Sequence, residues 1–323
     1  MVSPASILVY VGLDAVGDGL IKLPFIRALR QAFPAARITW MAGKGHTVYA
    51  DTLAPVVSGL IDEVLDEAGL GSKVAELLRR PLPDRSFDLI IDTQRRLLTT
   101  LILKRIRHGR FISASGNFRL SDARPGPGWS KPPAMVAQLM TLVELASGKP
   151  AEASAPLPRQ PETEAEAERL LPSGPAYVGL APGAGGKYKC WPLERFIELG
   201  RRITNRGAVP VILLGPAETE WRDEITTALP QALFPLQQIA GVTPMLTIAL
   251  ARRMRAAVAN DSGTGHMLAA ADITLISLFG PTPPEKFAPS TARLHLLRAQ
   301  DFGTAAMEAI PVQAVEAVLS PLL

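Results

Sequence analysis

A chain of 323 residues that is 47% apolar is long enough for two domains of ordinary size and too apolar to be disordered. Its one cysteine, Cys190, excludes a disulfide framework within the chain and fits a reducing compartment. The 34 Lys and Arg against 30 Asp and Glu leave a net charge of +4, too small to argue for nucleic acid without a motif. That balance suits an anionic substrate or an anionic membrane surface.

No apolar run approaches the roughly 18–20 residues needed to span a bilayer. The opening segment MVSPASILVYVGLD lacks a basic leader, and Asp14 cuts its apolar run short. It reads as a first strand, not a signal peptide, so a cytoplasmic location is expected.

In chain order, residues 7–11 predict a buried strand and 12–19 (GLDAVGDG) a glycine-punctuated loop. Residues 20–33 predict an amphipathic helix bent near Pro24. Strands are expected at 38–42, 60–65, 87–92 and 110–114, with a helix at 94–107. Residues 121–133 read as a Pro- and Gly-rich loop, 134–147 as a helix and 148–161 as an interdomain linker. The second half restarts with a charged helix at 162–171 and a strand at 176–181. A glycine loop, a helix at 193–205 and a strand at 209–214 follow, then a helix at 244–255. Residues 256–284 predict strand, loop, short helix and strand, the grammar of a parallel sheet. The expectation is an α/β chain with two similar halves, residues 1–155 and 156–323, each with its ligand loops at the carboxyl ends of its strands.

The loop Asn260-Asp261-Ser262-Gly263-Thr264-Gly265-His266 carries the clearest chemistry. Asp261 and Ser262 suit a helix cap, the glycines admit close approach of a ligand, and the free N–H groups of the first helical turn favour a phosphate. The plain alternative is a cap and nothing more. Lys189, after the loop Gly183-Ala184-Gly185-Gly186, offers a point charge for phosphate or is a solvated lysine. Glu218 follows a strand and either accepts from ribose hydroxyls or is a helix-start charge. Asp18, with Gly17 before it and Gly19 after it, reads equally as a proton acceptor and as a helix N-cap. Asp14 and Asp92 also follow strands. Arg95, Arg96, Lys104, Arg105, Arg107, His108 and Arg110 predict a basic helix face, either solvated or in contact with an anionic acceptor or lipid head groups. Arg252, Arg253 and Arg255 read as surface, Trp191 as core and Cys190 as inert. The loop GLDAVGDG lacks the glycine spacing of a nicotinamide dehydrogenase.

These motifs resemble glycosyltransferase family 9, the heptosyltransferases of lipopolysaccharide core assembly, nearly end to end. The marks are Gly17-Asp18 before Leu23-Pro24, Pro182-Gly183-Ala184 before Lys189-Cys190-Trp191-Pro192, and Gly215-Pro216-Ala217-Glu218. Asn260-Asp261-Ser262-Gly263 with His266, and Phe279-Gly280-Pro281-Thr282-Pro283-Pro284, complete them. The chain departs from the pattern at Gly19, at the glycines 183–186, and at Thr264 where Pro is frequent. The resemblance implies a GT-B fold, two Rossmann-like domains with parallel sheets facing across a cleft, the acceptor in the first and the nucleotide-sugar in the second. It implies an inverting transfer, from ADP-heptose to a lipopolysaccharide core acceptor, without an essential metal or cofactor. By position, Asp18 would be the general base. Gly183, Ala184, Gly185, Lys189 and residues 261–266 would hold the diphosphate and sugar, Glu218 the ribose, and Met245 would lie near the base. Gly17, Arg96, Lys104 and Arg107 are expected to meet the anionic acceptor. The expected partners are thus a nucleotide-diphosphate-sugar, that acceptor and the inner-membrane surface, with no nucleic acid. A member using another nucleotide-sugar or acceptor, a non-catalytic sugar-nucleotide binder and a two-lobed solute-binding protein are the competing readings.

Overall fold

Unbroken aliphatic runs such as Ile7-Leu8-Val9 can be satisfied only where both faces of a strand are covered, as in a parallel sheet with helices on each side. The computed structural model describes residues 3–323. They form two compact units, which divide between Pro158 and Arg159.

The first unit holds β1 (Ser6–Val11), α1 (Val16–Ala32), β2 (Arg37–Ala42), α2 (Ala54–Val57) and β3 (Glu63–Leu65). It continues with β4 (Ser86–Asp92), α3 (Leu97–Leu103), β5 (Arg107–Ser113) and α4 (Met135–Ser147). Its five-stranded sheet has the order β3-β2-β1-β4-β5. Every pairing is parallel, with Ile7 beside Ile38 and Leu89, and Ile90 beside Phe111. The central strands β1 and β4 bury Ile7 to Val11 and Leu89 to Ile91.

The second unit holds α5 (Pro161–Leu170), β6 (Tyr177–Ala181), α6 (Leu193–Asn205), β7 (Val209–Ile212), α7 (Arg222–Ala228) and α8 (Pro244–Ala251). It ends with β8 (Ala256–Asn260), α9 (Gly263–Ala270), β9 (Thr274–Phe279), α10 (Pro284–Phe287), β10 (Leu294–Arg298) and α11 (Val312–Leu319). Its sheet, also all parallel, has the order β10-β9-β8-β6-β7. Separate apolar clusters cover its two faces, one around Trp191 and Phe196, the other around Leu250 and Leu268.

Three expectations change. Helix α1 runs unbroken through Pro24 and starts four residues earlier than periodicity suggested. The helix expected at 94–107 spans only Leu97–Leu103, because Arg107 and His108 pair with Ser86 and Phe87 at the start of β5. The basic face therefore does not exist as a helix face. The charges flank α3, which itself carries none. Arg252 and Arg253, expected on the surface, pair with Glu164 and Glu168 and tie the end of α8 to α5. The half-exposed edge strand β10 had no apolar run to announce it.

Candidate functional site

In the second unit β6 pairs with β7 on one side and β8 on the other, so the chain order reverses between β6 and β8. Open parallel sheets bind ligands beyond the carboxyl ends of the strands at such a reversal. Two loops meet there, 182–191 after β6 and 261–262 after β8. Asn260 joins them: its side-chain amide donates to the Pro182 carbonyl at 2.7 Å, and its Oδ1 accepts from the Trp191 N–H at 3.1 Å. Trp191 anchors this loop in the core, packed edge-on against Phe196 and donating from Nε1 to the Ile310 carbonyl at 2.9 Å. Lys189, two residues before Trp191, is thereby held in place. Its Nζ lies 2.8 Å from Asp261 Oδ2, which also accepts from Thr282 Oγ1 at 2.8 Å.

Ser262, not Asp261, is the cap of α9, accepting the Gly265 N–H at 3.2 Å. The N–H groups of Gly263 and Thr264 have no carbonyl to meet within the helix. Together with the positive end of the helix dipole and the Lys189 ammonium, they suit an anion. His266 is half-buried in the first turn of α9, and burial pushes its imidazole down to about 4 against the pull of Asp261. It is neutral near pH 7, a hydrogen-bonding group and not a cation.

Glu218 sits in the short turn after β7 with its carboxylate pressed against the β6 loop. A side chain at Gly183 would stand 2.5 Å from that carboxyl carbon, and one at Gly215 2.6 Å from its oxygen. Only glycine at both positions admits the carboxylate. Glu218 is 9% exposed, and among the described residues none donates to its oxygens. A buried acceptor in this state is suited to ligand hydroxyls. Ala184 and Gly185 lie in the same loop, half-buried and exposed respectively. Met245 is buried in the first turn of α8, behind the loop 241–243. Cys190 is half-buried, and burial with the Glu218 charge pushes its thiol up, which leaves it a poor nucleophile.

In the first unit the order reverses between β1 and β4, and three carboxylates stand at their carboxyl ends. Asp14 is enclosed: it pairs with buried Lys22 and accepts from Trp40 Nε1 at 3.1 Å and Thr47 Oγ1 at 2.8 Å. Asp92 accepts from Thr100 Oγ1 at 2.6 Å, Ser113 Oγ at 2.9 Å and the Gln94 N–H at 2.9 Å, and burial pushes it up to about 6. Asp18 differs. It is half-buried at the third position of α1, and among the described residues its one hydrogen bond is a long 3.4 Å contact from the Ala15 N–H. Ala15, not Asp18, is the N-cap. The turn bearing Asp18 is fixed by Tyr49, whose hydroxyl donates to the Gly19 carbonyl at 2.5 Å.

Gly17 is exposed beside Asp18. Arg96, exposed at the start of α3, belongs to the same end of the sheet. Burial and this guanidinium push the half-buried Lys44 ammonium down. Lys104 and Arg107 do not join them. A helix that connects parallel strands returns to their amino ends, so both lie at the far end of the sheet. Lys104 there donates to the Leu120 carbonyl at 2.9 Å and covers the Phe111 ring. Sequence reasoning missed Asn260 as the brace between loops, Thr282 as the partner of Asp261, and Lys44. Thr282 lay within a quoted motif, whereas nothing local marked Lys44. Among the described residues no group of three or more His, Cys, Asp or Glu could hold a metal ion.

Two units, each an all-parallel five-stranded sheet flanked by helices with loops at the carboxyl ends of its strands, define a two-domain α/β class. The chain belongs to glycosyltransferase family 9 (heptosyltransferase), whose sequence model matches residues 76–309. It is 34% identical over 125 residues to lipopolysaccharide heptosyltransferase 2 of Salmonella typhimurium, a match covering 38% of this chain and only 36% of that protein. It is 27% identical to lipopolysaccharide heptosyltransferase 1 of Pseudomonas aeruginosa over 85% of this chain and 78% of that one. An Escherichia coli heptosyltransferase solved with ADP superposes over 98% of this chain and 100% of its own, with a TM-score of 0.68 at 17% identity. The fold is thus the GT-B fold expected from the sequence.

Proposed function

We propose that this protein transfers a sugar from a nucleotide-diphosphate donor, ADP-heptose, to a hydroxyl of an anionic lipopolysaccharide-core acceptor with inversion. The observation that carries the reading is the crevice between β6 and β8, where the Lys189 ammonium and the open N–H groups of α9 stand at one point. They offer a cation and hydrogen-bond donors to a diphosphate, and stabilise it further as it leaves. Glu218 then takes ribose hydroxyls and the loop before Met245 borders the base. The names of the relatives, and the ADP bound to the structural neighbour, support the adenine nucleotide and the heptose.

Asp18 acts as general base, because it is the carboxylate at its end of the first sheet that is not enclosed by internal donors. It takes the acceptor hydroxyl proton as oxygen attacks the anomeric carbon and the diphosphate departs. Gly17 leaves room beside it, and Arg96 with Lys44 offers positive charge to the acceptor. No metal is needed, since Lys189 and the helix end meet the diphosphate charge. Initial rates with ADP-heptose and core acceptor test this, with the product anomer read by NMR. The expected result is an inverted product at a rate unaffected by EDTA. Retention, no transfer from any ADP-sugar, or loss with chelator restored by magnesium would refute it.

A further inference from the structure

Residues 71–79 and helix α3 run side by side in the first unit. Thr99 Oγ1 donates to the Gly71 carbonyl at 2.7 Å, and Arg105 Nε donates to the Arg79 carbonyl at 3.1 Å. Helix α3 buries Thr99, Thr100, Ile102 and Leu103 against the sheet. Both segments nevertheless leave aliphatic side chains in water. Val74 is 69% exposed and Leu78 84%, and Leu97 and Leu101, one turn apart on α3, are 58% and 38% exposed. A fold that needed these groups only for its own core would not set four of them outward on adjoining segments.

The same surface carries Lys73, Arg79, Arg80, Arg96 and Arg105, all exposed. Among the described residues none of these five forms an ion pair. Across residues 71–80 and 94–107 the one acid is Glu76. Its carboxylate is turned onto the backbone N–H groups of Gly71, Ser72 and Lys73. Aliphatic groups that project singly, ringed by unpaired cations, match a lipid interface, where the chains enter the head-group boundary and the cations meet phosphate.

We propose that this surface, residues 73–80 with the outer face of α3, docks the protein on an anionic bilayer. The basic stretch is then neither a helix face nor wholly an acceptor site. It forms the rim of a membrane-contact patch whose apolar centre is Leu78. The inference stands apart from the reading of the donor crevice, and does not depend on which sugar is moved.

The test is co-sedimentation with vesicles of neutral phosphatidylcholine, alone or mixed with anionic phosphatidylglycerol. Wild-type protein binds the anionic vesicles, and high salt releases it. Arg79→Glu with Arg80→Glu lowers the partition coefficient by at least about fivefold per residue. Leu78→Glu lowers it as well, by removing the apolar centre and setting a carboxylate against the anionic head groups. Circular dichroism and ADP affinity of these surface variants remain as in wild type. Equal binding to neutral vesicles, no binding, or unaltered binding by the variants overturns the proposal. So does a concentration-dependent dimer that Leu78→Glu abolishes while vesicle binding persists, since the patch would then face a second copy.

Discussion

Exchanging Asp18 for Asn separates chemistry from folding, because the structure makes the folding cost small. The carboxylate accepts one long hydrogen bond, 3.4 Å from the Ala15 N–H, and an amide oxygen in the same place retains it. What is lost for folding is a negative charge in the first turn of a helix, about 0.3–1 kcal/mol. For a unit of this size that lowers Tm by roughly 1–4 °C. What is lost for catalysis is the base itself, about 10²–10⁴-fold in kcat. ADP affinity is expected to stay near wild type, since the donor crevice lies in the other unit. The assay is turnover at saturating donor and acceptor, alongside a thermal melt and calorimetry with ADP. A folded Asp18→Asn protein that turns over at the wild-type rate would refute the assignment. Asp14 and Asp92 offer no easy replacement, because internal donors already enclose both.

Lys189→Ala is expected to weaken ADP binding by about 10- to 150-fold, the worth of a charge-assisted bond to phosphate, and unchanged affinity by calorimetry would remove Lys189 from the site. Asp14→Asn leaves Lys22 buried without its counter-charge and should cost about 3–5 kcal/mol in denaturant unfolding, so a change below about 1 kcal/mol would show that the pair is not needed. His266 has its folded pKa near 4, below its ordinary 6.5, so the unfolded chain takes up the proton first as pH falls. Its contribution to stability is present above pH 6.5 and is lost on descent toward pH 4. His266→Gln should therefore flatten the stability profile across that window, and a wild-type-minus-variant difference independent of pH would contradict the burial argument.

Local pattern was enough for most of the architecture. Strands β1 and β8 carry the unbroken apolar runs 7–11 and 256–259, β4 and β9 are apolar but for Asp88 and Ser277 within them, and such segments need a covered parallel sheet whatever surrounds them. The loop at 260–266 and the Lys189 motif were legible for the same reason, since helix caps and glycine turns depend on neighbours in sequence. Long-range pairing decided the rest. The end of α3 at Leu103 is set by the register of Arg107 on Ser86, which competes with helix period and breaks up a basic face that sequence spacing implied. Asp14, Asp18 and Asp92 look alike as residues after strands. Only the arrival of Lys22, Trp40, Thr47, Thr100 and Ser113 distinguishes two enclosed carboxylates from an open one. Likewise the pressing of Glu218 against Gly183 and Gly215 joins residues from two loops, and hydrogen-bonding capacity written in a sequence acquires its partners only when the sheet brings those loops together.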